Sequence, residues 1–242
     1  MLIANWKMNG DAARVRDWAS VVNAALESQN TGVVAVFCPP TIYIEDARAV
    51  LPAGAALTLG AQNCHHQSHG AFTGEVSAPM LADKGCTFVI VGHSECRMKG
   101  ECDDMVAAKA SAAIAAGLTP ILCVGESLAH YEANETLRAL DAQLAAIRSL
   151  PVANYLVAYE PLWAIGSGHT PRGAEITAAH SHIKSVLGSS VNVLYGGSVT
   201  TSNVSEILAL PQVSGALVGG ASLDSQSMCA LIRSAANVTL GK

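Results

Sequence analysis

Eight short apolar runs, each followed by a loop and then by a helical pattern, constrain this chain more than anything else in it. They are Leu2 to Lys7, Val33 to Cys38, Leu57 to Ala61, Thr87 to Val91, Leu118 to Val124, Tyr155 to Tyr159, Val191 to Tyr195 and Gly215 to Val218. They do not alternate polar with apolar, which suits strands covered on both faces, as in a parallel sheet under helices. Each strand with its loop and helix takes about 30 residues, the size of a βα unit. Eight such units point to a closed (β/α)₈ barrel over an open doubly wound sheet. With no linker or low-complexity tract in view, residues 1–242 are expected to form one domain.

The helices between the runs carry their own signals. From about Asp11, Val15, Trp18, Val22 and Ala25 recur at helical spacing. Pro39-Pro40 stops the second strand, and Thr41 reads as the cap of a short helix. After the long polar loop Gln62 to Glu75, Ser77 opens a helix with Pro79 in its tolerant first turn. Asp103 to Ala116 is helical with Gly117 as its stop. Leu137, Leu140, Leu144 and Ile147 mark the next helix. Thr170-Pro171 opens another, with Ile176, Ala179, Ile183 and Val186 on its face and Gly188 at its end. A short helix starts near Ser202, and the last carries Leu223, Met228, Leu231 and Ile232.

Half of the residues are hydrophobic, enough for a sizeable core, and no run approaches the roughly 18 apolar residues of a membrane span. Met1 to Gly10 lacks the pattern of a secretory signal, so a cytoplasmic location is expected. Seven cysteines without a CxxC pair suit reduced, packed thiols. A formal net charge of −5 and the lack of a basic cluster argue against nucleic acid as a partner. An anionic substrate stays open, because local donors and one lysine outweigh a mild global field.

In such a barrel the site lies at the carboxyl ends of the strands. The first strand ends with Asn5 and Lys7, the fourth is followed by His93-Ser94-Glu95, and the sixth by Glu160. The seventh and eighth lead into Gly196-Gly197-Ser198 and Gly219-Gly220, glycine turns whose N–H groups suit an anion such as phosphate. Lys7, closing an apolar strand, calls for a counter-charge: Glu95, a substrate anion, or both at once. A helical turn after His93 would disfavour its imidazolium and leave a neutral hydrogen-bond donor. Glu160 is followed by Pro161, then by apolar Leu162 to Ile165, then by Gly166 and Gly168: a lid whose closure would exclude water from the carboxylate. That makes Glu160 a candidate base for a carbon acid, an acid–base contribution of roughly 10²–10⁴-fold. His65, His66 and His69 lack convincing metal spacing and read as a solvated face or a subunit contact. His180 and His182 read as surface or helix-packing residues, and Cys123 as a packed thiol.

Ala4-Asn-Trp-Lys7 with Asn9-Gly10, Gly70-Ala-Phe-Thr-Gly-Glu75, Val91-Gly-His-Ser-Glu95 and Cys123-Val-Gly-Glu126 form an ordered series of motifs. It continues with Ala158-Tyr-Glu-Pro161, Trp163-Ala-Ile-Gly166, Tyr195-Gly-Gly-Ser-Val199 and the stretch from Val218 to Leu223. Through them the chain resembles the triosephosphate isomerase family along essentially its whole length. The resemblance implies a single (β/α)₈ TIM barrel that interconverts dihydroxyacetone phosphate and D-glyceraldehyde 3-phosphate. This family is itself the usual illustration of a glutamate base, a neutral histidine and a closing loop. By resemblance Glu160 carries the proton and His93 acts as electrophile. Asn5 and Lys7 bind substrate. Gly166, Ser198, Gly219 and Gly220 grip its phosphate, and Glu95 organises Lys7 and His93. No cofactor or metal is implied. A homodimer is, with the loop around Phe72-Thr73-Gly74 entering the neighbour and Thr73 buttressing its site.

Two stretches depart from the family pattern. Cys96 stands where arginine is usual, which touches a surface or interface contact, and Ser167-Gly-His-Thr-Pro171 changes the far hinge of the lid, His169 included. A metal-dependent pentose-phosphate epimerase would need His and Asp ligands at the strand ends, which are not found. A non-catalytic scaffold would have no reason to keep Lys7, His93 and Glu160 together.

Overall fold

The computed structural model describes residues 1–29, 32–165 and 170–240. Eight parallel strands close into one barrel in sequence order: β1 (Leu2–Asn5), β2 (Ala35–Cys38), β3 (Leu57–Ala61), β4 (Phe88–Val91), β5 (Thr119–Val124), β6 (Leu156–Tyr159), β7 (Asn192–Tyr195) and β8 (Gly215–Val218). Closure is direct, since β1 pairs with β2 (Ile3 opposite Val36) and with β8 (Ile3 opposite Leu217). The helices are α1 (Ala12–Gln29), α2 (Ile44–Val50), α3 (Ala78–Asp83), α4 (Ser94–Arg97), α5 (Asp103–Ala115), α6 (Leu128–Glu132), α7 (Thr136–Ile147), α8 (Gly173–Leu187), α9 (Val204–Ala209) and α10 (Ser225–Leu240).

The strands look uniformly apolar because both faces are buried, but in two separate cores. Ile3, Val36, Cys38, Ile90, Ile121, Cys123, Ala158, Leu194 and Leu217 fill the barrel interior. Leu2, Ala4, Phe37, Val89, Val91, Leu122, Val124, Val157 and Val193 face the helices. The period-2 rule therefore holds, hidden from the sequence by apolar residues on each side. Outside the barrel Trp6 and Trp18 pack on Phe37, with ring centroids 5.0 and 4.2 Å away, and both indoles donate to the Ser222 carbonyl.

Several boundaries shift from the expected ones. The first strand stops at Asn5, because Lys7 has a φ of +52° and leaves the ladder. Thr41 starts a 3₁₀ turn and makes no side-chain cap, so α2 begins only at Ile44. Ser77 does cap α3, its Oγ accepting from the Met80 N–H at 3.5 Å. Helix α8 begins at Gly173, where the Glu175 carboxylate accepts the Arg172 N–H at 2.7 Å, and not at Thr170. The turn after β8 is 3₁₀ over Gly220–Ser222, with α10 following only at Ser225.

His180, expected as a surface or helix-packing residue, takes the packing role. It is fully buried on the inner stripe of α8, in line with Ile176, Ala179 and Ile183. Its Nδ1 lies 3.3 Å from the Gln212 carbonyl, and its ring meets Tyr159 edge-on. Burial lowers its pKa to about 4, against a partial opposing pull from that carbonyl. The unfolded chain takes up this proton near pH 6.5, so between about 6.5 and 4 unfolding is favoured as pH falls. At about 1.4 kcal/mol per pH unit the loss amounts to about 3 kcal/mol and levels off below pH 4. Urea unfolding of wild type and His180→Gln at fixed protein concentration checks this: the stability gap between them should shrink by that amount from pH 7 to pH 4. A constant gap would exclude His180 as the acid-sensitive group.

Candidate active site

All eight strands run the same way, so the residues that follow them meet at one rim. Glu160 comes directly after β6, and its N–H donates to the Val124 carbonyl of β5 at 2.7 Å. His93 follows β4 and caps α4, its Nδ1 accepting the Glu95 N–H at 3.2 Å. Across the rim His93 Nε2 lies 3.2 Å from Glu160 Oε1, and the Ser94 N–H donates to Glu160 Oε2 at 3.2 Å. Glu160 and His93 are both buried. Lys7 reaches in from the end of β1 and pairs with Glu95 at 2.7 Å.

A cavity of about 250 Å³ opens over these groups, lined by Asn5, Lys7, His93, Glu160, Ile165, Ser198, Gly219 and Gly220 among others. Every named site residue except Glu95 and Gly166 thus lines one space. Glu95 stands behind it, holding Lys7. Gly166, with Ser167, Gly168 and His169, lies outside the described residues. The near half of the expected lid is seen: Leu162–Ala164 forms a 3₁₀ turn with Ala164 buried, and the Ser198 hydroxyl donates to the Ala164 carbonyl at 2.8 Å.

The protonation pattern follows from these contacts. Burial lowers the pKa of His93, but the Glu160 carboxylate beside Nε2 outweighs it, leaving a net upward direction. The geometry opposes a charged ring, because a proton on Nδ1 would face the Glu95 N–H head-on. We read the ring as neutral, with its proton on Nε2 donated to Glu160, and the upward pull as lasting only while that contact does. Burial works to raise the Glu95 carboxyl, yet the Lys7 ammonium prevails and holds it below the ordinary range. Cys123, enclosed in the barrel interior, is pushed well above its usual pKa by burial and then by Glu160. It therefore stays a thiol and makes a poor nucleophile.

Several further groups support the site. Lys7 keeps its left-handed backbone because Asn5 Oδ1 accepts its N–H at 3.1 Å and Gln62 Nε2 donates to its carbonyl at 2.9 Å. Gly196 leaves room for the Glu160 side chain, since a Cβ there would sit 2.7 Å from Glu160 Cγ. Arg97 braces the His93 turn by donating to the carbonyls of Gly92 (2.9 Å) and Cys123 (3.3 Å) while pairing with Asp103. Cys96, beside it, is half-buried. His65 and His66 stack together and against Phe72 in the exposed loop after β3, and His182 pairs with Asp141 on the surface.

The chain is similar to known proteins over nearly its whole length. The triosephosphate isomerase family profile matches residues 1–235. The chain is 45% identical over 248 residues to triosephosphate isomerase of Thiobacillus denitrificans, covering 98% of each chain. It is 43% identical over 256 residues to that of Shewanella amazonensis and 42% to that of Shewanella frigidimarina, covering 97% of this chain and 98% of each relative. A closed eight-stranded barrel, this rim and these likenesses over nearly the whole length together place the chain in the triosephosphate isomerase family.

Proposed function

We propose that the chain interconverts dihydroxyacetone phosphate and D-glyceraldehyde 3-phosphate, with Glu160 as the base and His93 as the electrophile. The observation that carries this is the 3.2 Å approach of His93 Nε2 to Glu160 Oε1 at the floor of a cavity that Lys7 also lines. A triose enters between the two groups once the carboxylate leaves the imidazole. Glu160 then takes a proton from one carbon and returns it to the next. His93 donates its Nε2 proton to the carbonyl oxygen and takes a proton from the neighbouring hydroxyl, so the reaction passes through an enediolate and the hydroxyl proton ends on the other oxygen. Asn5 and Lys7 hold the oxygens that gain charge, where fixed donors in a water-poor site count most. Backbone N–H groups at Ser198, Gly219 and Gly220 bind the phosphate, with Gly166 completing the grip, and Glu95 keeps Lys7 extended over the cavity.

No step calls on a cofactor or a metal. A coupled assay of the purified protein on dihydroxyacetone phosphate tests this: turnover should persist undiminished in a strong chelator, and deuterium from solvent should appear at the carbon that gains the proton. Absent turnover, or activity lost on chelation, would defeat the proposal.

Self-association belongs to the same reading. Met8, Ile42 and Met98 are 95, 77 and 73% exposed, and Phe72 and Met80 are also exposed, which leaves apolar side chains for a second copy to cover. The Phe72-Thr73-Gly74 loop suits insertion into a second copy, where Thr73 would brace the partner's site. Among the described residues no helix is long and apolar enough to cross a membrane. A cytoplasmic location fits a triose-phosphate substrate.

A further inference from the structure

Strand β5 ends at Val124, so the ladder no longer supplies partners for the buried peptide of Gly125. A side chain takes over. The Gly125 N–H donates to Gln143 Oε1 at 2.8 Å, and Gln143 Nε2 donates to the Gly125 carbonyl at 2.9 Å. The carboxamide thus acts as one more peptide unit beyond the end of the sheet, presented by α7 from 18 residues away.

The clamped peptide is what the base rests on. A Cβ at position 125 would lie 1.8 Å from the Glu160 carbonyl oxygen, so the two backbones are in direct contact and only glycine fits. On either side the same segment holds the start of the lid. Val124 accepts the Glu160 N–H, Glu126 accepts the Leu162 N–H at 3.0 Å, and Glu126 Oε1 accepts the Trp163 indole at 2.8 Å. Residues 124–126 therefore form a bracket for residues 160–163, and Gln143 fixes that bracket to the helical layer.

We propose that Gln143 is a positioning residue for Glu160, acting through the Gly125 peptide; the inference rests on the reading of Glu160 as the base. Gln143 touches no substrate, so its removal should spare binding and impair the proton transfer. Misplacing a reacting group by about 1 Å costs on the order of 10²-fold, so Gln143→Leu should lower kcat by about 10- to 100-fold with KM nearly unchanged. Gln143→Glu gives a sharper signature. Its carboxylate still accepts the Gly125 N–H but sets an oxygen against the Gly125 carbonyl. A protonated carboxyl restores the missing donor, so the ratio of its kcat to wild type should climb as pH falls.

Steady-state kinetics of both variants, with thermal melts and Glu160→Asp measured alongside, tests the proposal. A kcat loss of tenfold or more at steady KM in Gln143→Leu, with the pH-dependent recovery in Gln143→Glu, supports it. A kcat within about twofold of wild type, a loss carried by KM, or a pH-independent ratio overturns it. If Gln143→Leu does not fold, the pH profile of Gln143→Glu decides alone. Should Glu160→Asp lose activity while the Gln143 variants keep theirs, only the positioning role fails; should Glu160→Asp turn over normally, the assignment of the base fails first.

Discussion

Glu160→Asp is expected to lower kcat by about 10²-fold while KM moves little, since one methylene withdraws the carboxylate by about 1 Å from the carbon acid. The wild-type side chain spans the gap from the end of β6 to His93 Nε2 and the Ser94 N–H, both at 3.2 Å. An aspartate rooted on the same backbone, which is pinned by the Val124 carbonyl, cannot reach both. The pocket itself survives, because the space that Gly196 leaves beside Glu160 Cγ stays open. A second effect goes with the first: with the carboxylate drawn back, His93 loses the contact that raises its pKa, and its titration should move down. Steady-state kinetics with NMR titration of His93 measures both. A kcat equal to wild type would end the assignment of Glu160 as base.

Lys7→Ala is expected to reduce kcat/KM by about 10²–10³-fold, the scale seen when a fixed donor to a developing oxyanion is removed. Stability should change little. The Lys7–Glu95 pair is short at 2.7 Å, but its side chains are 30% and 45% exposed. Ion pairs this wet contribute about 0–1 kcal/mol. The backbone conformation at position 7 is held by Asn5 and Gln62, through contacts to main-chain atoms that alanine keeps. A collapse of activity with an almost unchanged thermal midpoint separates a substrate-binding lysine from a structural one. Retained activity would show that the ammonium serves Glu95 alone. Lys7→Arg is not expected to rescue, because a planar fork does not reproduce a compact point charge.

The fold was legible because the strands are apolar on both sides, a pattern that a parallel barrel under helices requires. The rim was legible because a polar side chain stands at or just past the end of an apolar run at Asn5, His93 and Glu160. What stayed hidden acts through backbone atoms across the barrel. Gly196 and Gly125 matter for side chains they lack, Ser94 for its N–H, and Gln62 and Gln143 for carboxamides that replace peptide partners. No local pattern distinguishes such a glutamine from a solvated one. The first strand was read two residues too long, to Lys7, since a left-handed residue without glycine leaves no mark. His180 did have a signal, four residues after Ile176 on the apolar stripe, which marks it as a core histidine.

The seam between β1 and β8, with the Trp6 and Trp18 indoles both drawn to the carbonyl of Ser222, ties the opening of the chain to its close. On the ribosome the first strand must wait through more than two hundred further residues before its second neighbour exists. Until then the nascent sheet offers a bare edge that invites pairing with another chain. A polypeptide released early carries that hazard permanently, so its fate is precipitation or proteolysis and not a smaller working barrel.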